Sequence, residues 1–406
     1  MIRRAFILLS ALAVSVSCSR SDSAEGDTAG HAVTSIYVSS EQAQTAPGIE
    51  TADAADDSAP IIIDKFKAGD KLYFAQLGPT VQPNFENLAE TASPYIYIYE
   101  YFENDKADWN AGYNFSLQNG RKAFDWETVR NMGSVGNAFS LYAFHFPVDN
   151  KVRFKVETDQ RGSSEDDRYD KSNFMKSDIM GAYHATSSLY TRLRFRLFHL
   201  MVYLKVTLYV PEYNEQTPDD QNPYKDMKYS GFNAGAMRGA YVLNADTELT
   251  VEWRAKRSSD SEAPLTQASG SKSNIIMYAH RPDEDVIQEL DISKFYDKNV
   301  EGIDGSVLRT DRVRAYTFSV LFPSQTFSDN FLCFELEAAD GTRKYYYFSG
   351  IVGDSGNYSL TQGSRQELWL YLPRTTNETI LVGANILPWS DAVTDMTVTK
   401  QEEEGN

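Results

Sequence analysis

The chain has 406 residues, with 57 acidic against 39 basic side chains and a formal net charge of −18. A surface of that sign repels phosphate backbones and anionic headgroups, which excludes nucleic-acid partners and membrane attachment by charge. Two cysteines leave no disulfide framework, and 25 Tyr, 22 Phe and 14 Pro among alternating apolar runs point to an all-β protein long enough for two domains.

The first eighteen residues read as a lipoprotein signal peptide. Arg3 and Arg4 precede an apolar run at 5–16, and Ser15-Val16-Ser17-Cys18 ends it with a small residue before cysteine. The run is too short for a bilayer span, which takes about 20 residues. Acyl chains (palmitate among them) on Cys18 would tether a soluble fold to the outer membrane; the alternative is plain secretion without lipid.

Residues 19–60 form a linker rich in Ser, Ala, Thr, Asp and Glu, with too few large apolar groups to offset the entropy of ordering. Asp22-Ser23-Ala24, Asp27-Thr28-Ala29 and Asp57-Ser58-Ala59 resemble a short acceptor motif for O-glycosylation, which makes Ser23, Thr28 and Ser58 candidate sites. Within the linker, Ser35-Ile36-Tyr37-Val38-Ser39 is β-prone and is expected to be a detachable strand, with Ile36 and Val38 as its apolar positions. Ile61 and Ile63, where folded sequence begins, are the second candidate for such an assembly strand.

From there the signals alternate between strand and turn. Phe66 to Phe74 reads as strand, turn, strand around Gly69-Asp70. Residues 95–101 alternate strictly, with Tyr95, Tyr97, Tyr99 and Tyr101 on one face. Residues 139–146 form a further strand, and Asp125 is positioned to cap a short helix through Arg130. In 193–210 the apolar set sits at odd positions through Leu197 and at even positions from Leu200 onward. A one-residue slip turns every side chain to the other face, so the strand must bulge or cross to another sheet near 197–199.

The polar run 212–226, with Pro218 and Pro223, sets a boundary between an N-terminal β-sandwich at 61–212 and a C-terminal one at 213–400, followed by a frayed tail at 401–406. Strands are expected at 241–243, 249–253, 275–278, 316–322, 331–337, 345–348, 367–372 and 379–387, with long polar loops at 256–273 and 281–313. A C-terminal strand is a candidate within 392–400.

Several pieces in this order resemble the fimbrillin-like (FimA/Mfa-like) surface lipoproteins of Bacteroidetes. They are Phe66-Lys67-Ala68-Gly69-Asp70-Lys71-Leu72, Phe139-Ser140-Leu141-Tyr142-Ala143-Phe144, Lys176-Ser177-Asp178-Ile179-Met180-Gly181-Ala182, Leu193-Arg194-Phe195-Arg196-Leu197, Glu367-Leu368-Trp369-Leu370 and Ile386-Leu387-Pro388-Trp389. The resemblance covers most of 60–392. It implies two tandem transthyretin-like β-sandwiches and a pilus subunit that joins other fimbrial subunits by strand exchange, in a cell-adhesion role. The physics of that exchange is β-augmentation of an open edge. One departure matters: after Arg20 the next basic residue is Lys65 and the next arginine is Arg121, so the family's arginine cleavage site is absent. This favours an anchor that keeps its lipid, or maturation by a different protease.

Signatures of catalysis and metal binding are missing. The sequence contains no G-x-S-x-G, H-E-x-x-H, C-x-x-C or phosphate-binding glycine loop. His31, His145, His184, His199 and His280 are scattered, and Cys333 in Phe331-Leu332-Cys333-Phe334 reads as a buried thiol. No enzymatic activity, cofactor or metal is expected. The alternative reading is a surface glycan-binding lipoprotein using exposed aromatic platforms, for which the tyrosine row at 95–101 and Tyr345-Tyr346-Tyr347 are candidates.

Overall fold

The computed structural model describes residues 32–33, 35–40, 66, 68–77, 96–101, 113–117, 124–125, 139–147, 152–161, 172–186, 193–211, 239–257, 262–280, 287–292, 310–327, 330–337, 343–348, 357–372 and 380–388. The expected all-β class holds. The first group of strands is β1 (Ala32–Val33), β2 (Ser35–Ser40), β3 (Lys71–Leu77), β4 (Ile96–Tyr101), β5 (Tyr113–Leu117), β6 (Phe124–Asp125) and β7 (Phe139–His145). A single turn of helix, α1 (Asn173–Lys176), capped by the Ser172 hydroxyl, precedes β8 (Met180–Thr186) and β9 (Leu193–His199). Seven of these strands close into a barrel in the order β2-β5-β4-β3-β7-β8-β9, and β1 pairs with β6.

The chain then crosses to a second group. It comprises β10 (Val202–Pro211), β11 (Ala240–Lys256), β12 (Pro264–Ile276), β13 (Tyr278–Ala279), β14 (Ile287–Asp291), β15 (Thr310–Phe322), β16 (Gln325–Phe327), β17 (Leu332–Glu337), β18 (Arg343–Phe348), β19 (Tyr358–Leu360), β20 (Ser364–Tyr371) and β21 (Ile380–Pro388). A six-stranded sheet runs β13-β15-β10-β20-β21 with β14 on β15, and a four-stranded sheet runs β12-β11-β17-β18. The two pack face to face, as Phe318 against Phe334 at 5.9 Å between ring centroids shows.

The parity switch in 193–210 is the crossing point. β9 ends at His199 in the barrel, and β10 starts at Val202 between β15 and β20 in the six-stranded sheet. The sheets therefore change at Leu200-Met201, one strand before the polar run at 212–226. The loop expected at 256–273 is largely β12, and β14 lies inside the expected loop at 281–313. Phe124–Asp125 is strand, and the helix expected to follow it through Arg130 lies outside the described residues.

Alternation along β3 and β7 builds two cores from one sheet. Leu72, Phe74, Leu141 and Ala143 fill the barrel with Tyr97, Tyr99, Tyr101, Phe115 and Phe195. Tyr73, Ala75, Leu77, Tyr142 and Phe144 face outward into the core of the second group. The tip of the β11–β12 hairpin seals this junction. Trp253 packs edge-on against Tyr142 at 4.8 Å, Tyr183 N–H donates to Glu262 O at 2.7 Å, and His184 bonds Glu262 at 2.8 Å. Residues 152–161 add a clamp from the other side. Leu249 N–H donates to Phe154 O, Val156 N–H donates to Thr247 O, and the buried Gln160 amide bonds both N–H and C=O of Leu321.

Candidate functional site: the strand seat of the barrel

β2 closes the barrel. It runs antiparallel to β5, with Ile36 opposite Phe115 and Val38 opposite Tyr113, and parallel to β9, with Ile36 opposite Leu193 and Val38 opposite Phe195. The expected strand at 35–39 is thus present, and its two apolar positions are level with Phe115 and Phe195 of the barrel core. Which strands it joins was not readable from sequence, because both partners are distant along the chain.

Two features make this strand separable, and a third shows what it holds. Residues 41–65, outside the described residues, connect β2 to Phe66 of the barrel core, and 25 residues span at most roughly 85 Å when extended. The remaining barrel ladders, β5-β4-β3-β7-β8-β9, form an unbroken path without it. β9 itself depends on β2: it pairs with β8 at Met180–His199 and Gly181–Phe198, whereas 193–197 are laddered to β2.

The fixed end of β9 is correspondingly well anchored. His199 Nδ1 and Asp178 Oδ1 bond at 2.7 Å in a buried contact, and Leu200 N–H donates to Ile179 O at 2.8 Å. Gly181 lets β7, β8 and this junction approach: a Cβ there would lie 2.9 Å from Phe144 Cδ1 and 3.0 Å from Leu200 Cδ1. In the barrel order, β3 and β7 stand diametrically opposite β2. The seat therefore faces away from the sheets that β3 and β7 pack against.

Cys18, Ser23, Thr28, Ser58, Ile61 and Ile63 lie outside the described residues, as does the candidate strand at 392–400. Tyr97, Tyr99 and Tyr101 are buried, so they supply barrel core and no sugar platform; burial raises the Tyr99 hydroxyl well above the usual phenol range.

The histidines do structural work. His145 Nδ1 meets Lys71 O at 3.1 Å. The pair that most resembles a catalytic dyad is His280 Nε2 on Ser319 Oγ at 2.7 Å, with the Tyr203 hydroxyl at 3.1 Å. Ser319 and Tyr203 are buried and His280 nearly so, hence no substrate reaches the hydroxyl. Burial, reinforced by Lys205, pushes the His280 imidazole down to about 3 and keeps it neutral. Burial also pushes the Cys333 thiol up to about 11. Among the described residues no cluster of three His, Cys, Asp or Glu could hold a metal ion.

No protein-family model matches the chain, and no curated protein sequence matches it. It is similar to several solved structures. A candidate cell adhesion protein of Bacteroides ovatus is 12% identical over 89% of this chain and 98% of its own, with a TM-score of 0.42. A candidate cell adhesion protein of Bacteroides uniformis is 10% identical over 88% and 97%, with a TM-score of 0.40. The tip fimbrial protein Mfa3 of Porphyromonas gingivalis, truncated at its C-terminus, is 7% identical over 87% and 100%, with a TM-score of 0.34. Likenesses at these levels assign neither fold nor function by themselves.

Proposed function

We propose that the protein is a structural subunit or anchor of a Bacteroidetes-type surface fimbrium, that it joins neighbouring subunits by exchange of the strand at 35–40, and that it has no enzymatic activity. The observation that supports this reading is the seat of β2: a strand joined to Phe66 of the barrel core by residues 41–65 fills the gap between β5 and β9, and the ladders from β5 round to β9 form a continuous path without it. A strand leaving that gap presents two backbone edges and the core residues Phe115, Phe195 and Leu197 to an incoming strand. Lipid on Cys18 would hold the protein at the outer membrane, the linker at 19–60 would set its reach, and Ser23, Thr28 and Ser58 would lie in the exposed part of that linker.

The test severs the strand without altering the barrel. A specific protease site is inserted between residues 45 and 55, and a fluorescent peptide of residues 32–42 is added in excess after cleavage. The label is expected to migrate with cleaved protein on native gels and not with uncleaved protein. Label that follows neither form, or both equally, overturns strand exchange at this seat.

A further inference from the structure

The outward face of the four-stranded sheet carries an aromatic patch that strand exchange does not use. Along β18 the side chains alternate: Tyr346 and Phe348 enter the core, whereas Tyr345 and Tyr347 stand out at 42% and 37% exposure. They share one face, roughly 6.7 Å apart along the strand. Across the ladder lie Glu335, opposite Tyr345, and Cys333, opposite Tyr347. The Cys333 thiol therefore lies beside Tyr347 on the same face of the sheet. Glu335, 4% exposed, accepts from the Tyr241 hydroxyl at 2.7 Å through Oε2. Its Oε1 lies 3.1 Å from Arg343 without accepting an aligned hydrogen bond. The Arg343 side chain is about half exposed beside the two rings.

We propose that this face binds a neutral pyranose oligosaccharide, with Tyr345 and Tyr347 stacking against sugar rings, with Arg343 and the tyrosine hydroxyls donating to and accepting from the sugar hydroxyls, and with the buried Glu335 holding Arg343 in place from below. A pyranose has apolar C–H faces and a hydroxyl rim, so its receptor needs flat aromatic surface beside paired donors and acceptors. This patch supplies both within one sheet face. The buried Glu335 carboxylate and the net charge of −18 disfavour uronic or sialic acids. Two tyrosine rings are far smaller than the roughly 800 Å² per partner that a stable protein interface covers, which argues against a protein occupant.

Affinity electrophoresis of the full chain through gels holding yeast mannan, xylan, dextran or starch tests this, with polygalacturonate as the anionic control. Retardation by at least one neutral polysaccharide is expected. The double variant Tyr345→Ala/Tyr347→Ala should weaken it by at least about tenfold, Tyr345→Phe/Tyr347→Phe should keep most of it, and Arg343→Ala should weaken it several-fold, roughly 1 kcal/mol or less. Near-ultraviolet circular dichroism checks that each variant folds. No retardation by any neutral gel, retardation by polygalacturonate alone, or full retention in the double alanine variant overturns the proposal. So does a double variant that changes only the oligomeric state, which would make the face a protein interface. β18 lies outside the barrel, so failure here leaves strand exchange standing, and the reverse.

Discussion

Removing residues 1–40 deletes β2, together with the two-residue β1 on β6, and should leave a folded but weakened barrel. The ladder hydrogen bonds contribute little to the net change. Their N–H and C=O groups on β5 and β9 return to water, and the deleted strand no longer has to be ordered. The uncovered core decides the magnitude. Phe115, Phe195 and Leu197 are buried in the closed barrel, and full burial of such side chains is worth about 1.5–3 kcal/mol each. Losing part of the cover on all three costs about 3 kcal/mol. At roughly 2–4 °C per kcal/mol, the melting temperature should fall by about 6–12 °C in a thermal scan. A peptide of residues 32–42 added at about 100 times its Kd should restore about 2.7 kcal/mol, most of the loss. An unchanged melting temperature, or equal rescue by a scrambled peptide, would refute the view that β2 covers this core as a separable part.

Gly181→Ala forces a Cβ to within 2.9 Å of Phe144 and should destabilise the protein by about 1–3 kcal/mol, read as a lower urea midpoint. Asp178→Ala strands the buried His199 imidazole at the anchored end of β9 and should cost about 1–3 kcal/mol, with faster amide exchange at 198–200. His280 bears on acid stability. Its imidazole is held down to about 3 when folded and rises to 6.5 when unfolded, so between those values the unfolded chain binds more protons and stability falls with pH. The loss reaches on the order of 4 kcal/mol by pH 3, and His280→Asn should flatten the urea midpoint between pH 6 and 4. Cys333, with its thiol near 11, should resist iodoacetamide at pH 8 in the native state and react readily in urea.

Segments whose side chains alternate between a core and another surface were legible. The tyrosines of β4 and the parity switch between β9 and β10 announce themselves because burial imposes period two, and because a change of face demands a change of sheet. β12 was not legible. Its middle, around Ser269, Gly270, Ser271 and Lys272, is largely exposed and held by backbone pairing to β11, so nothing in the side chains marks a strand. The clamp at 152–161 escaped for a related reason: it is fixed by scattered backbone bonds and by Gln160, which have no period. The strand at 35–39 was recognisable from its β-prone residues, but its seat was not. Pairing with residues 113–116 and 193–197 is a long-range choice set by the shape of the gap.

The geometry would also let a strand exchange at this seat with little effect on the rest of the molecule. The face that packs against the second group of sheets comes from β3 and β7, three strands away from β2 in either direction around the barrel. Tyr142, Phe144 and Trp253 hold that face, and the hairpin tip and the 152–161 clamp reinforce it. On the opposite side, β9 is fixed at 198–199 and laddered to β2 along 193–197. A strand that withdraws therefore loosens β5 and the free arm of β9 while Asp178 and His199 hold the pivot. An arriving strand must satisfy an antiparallel edge and a parallel edge at once. It must also place apolar side chains level with Phe115 and Phe195, so register and polarity are both selected by the gap.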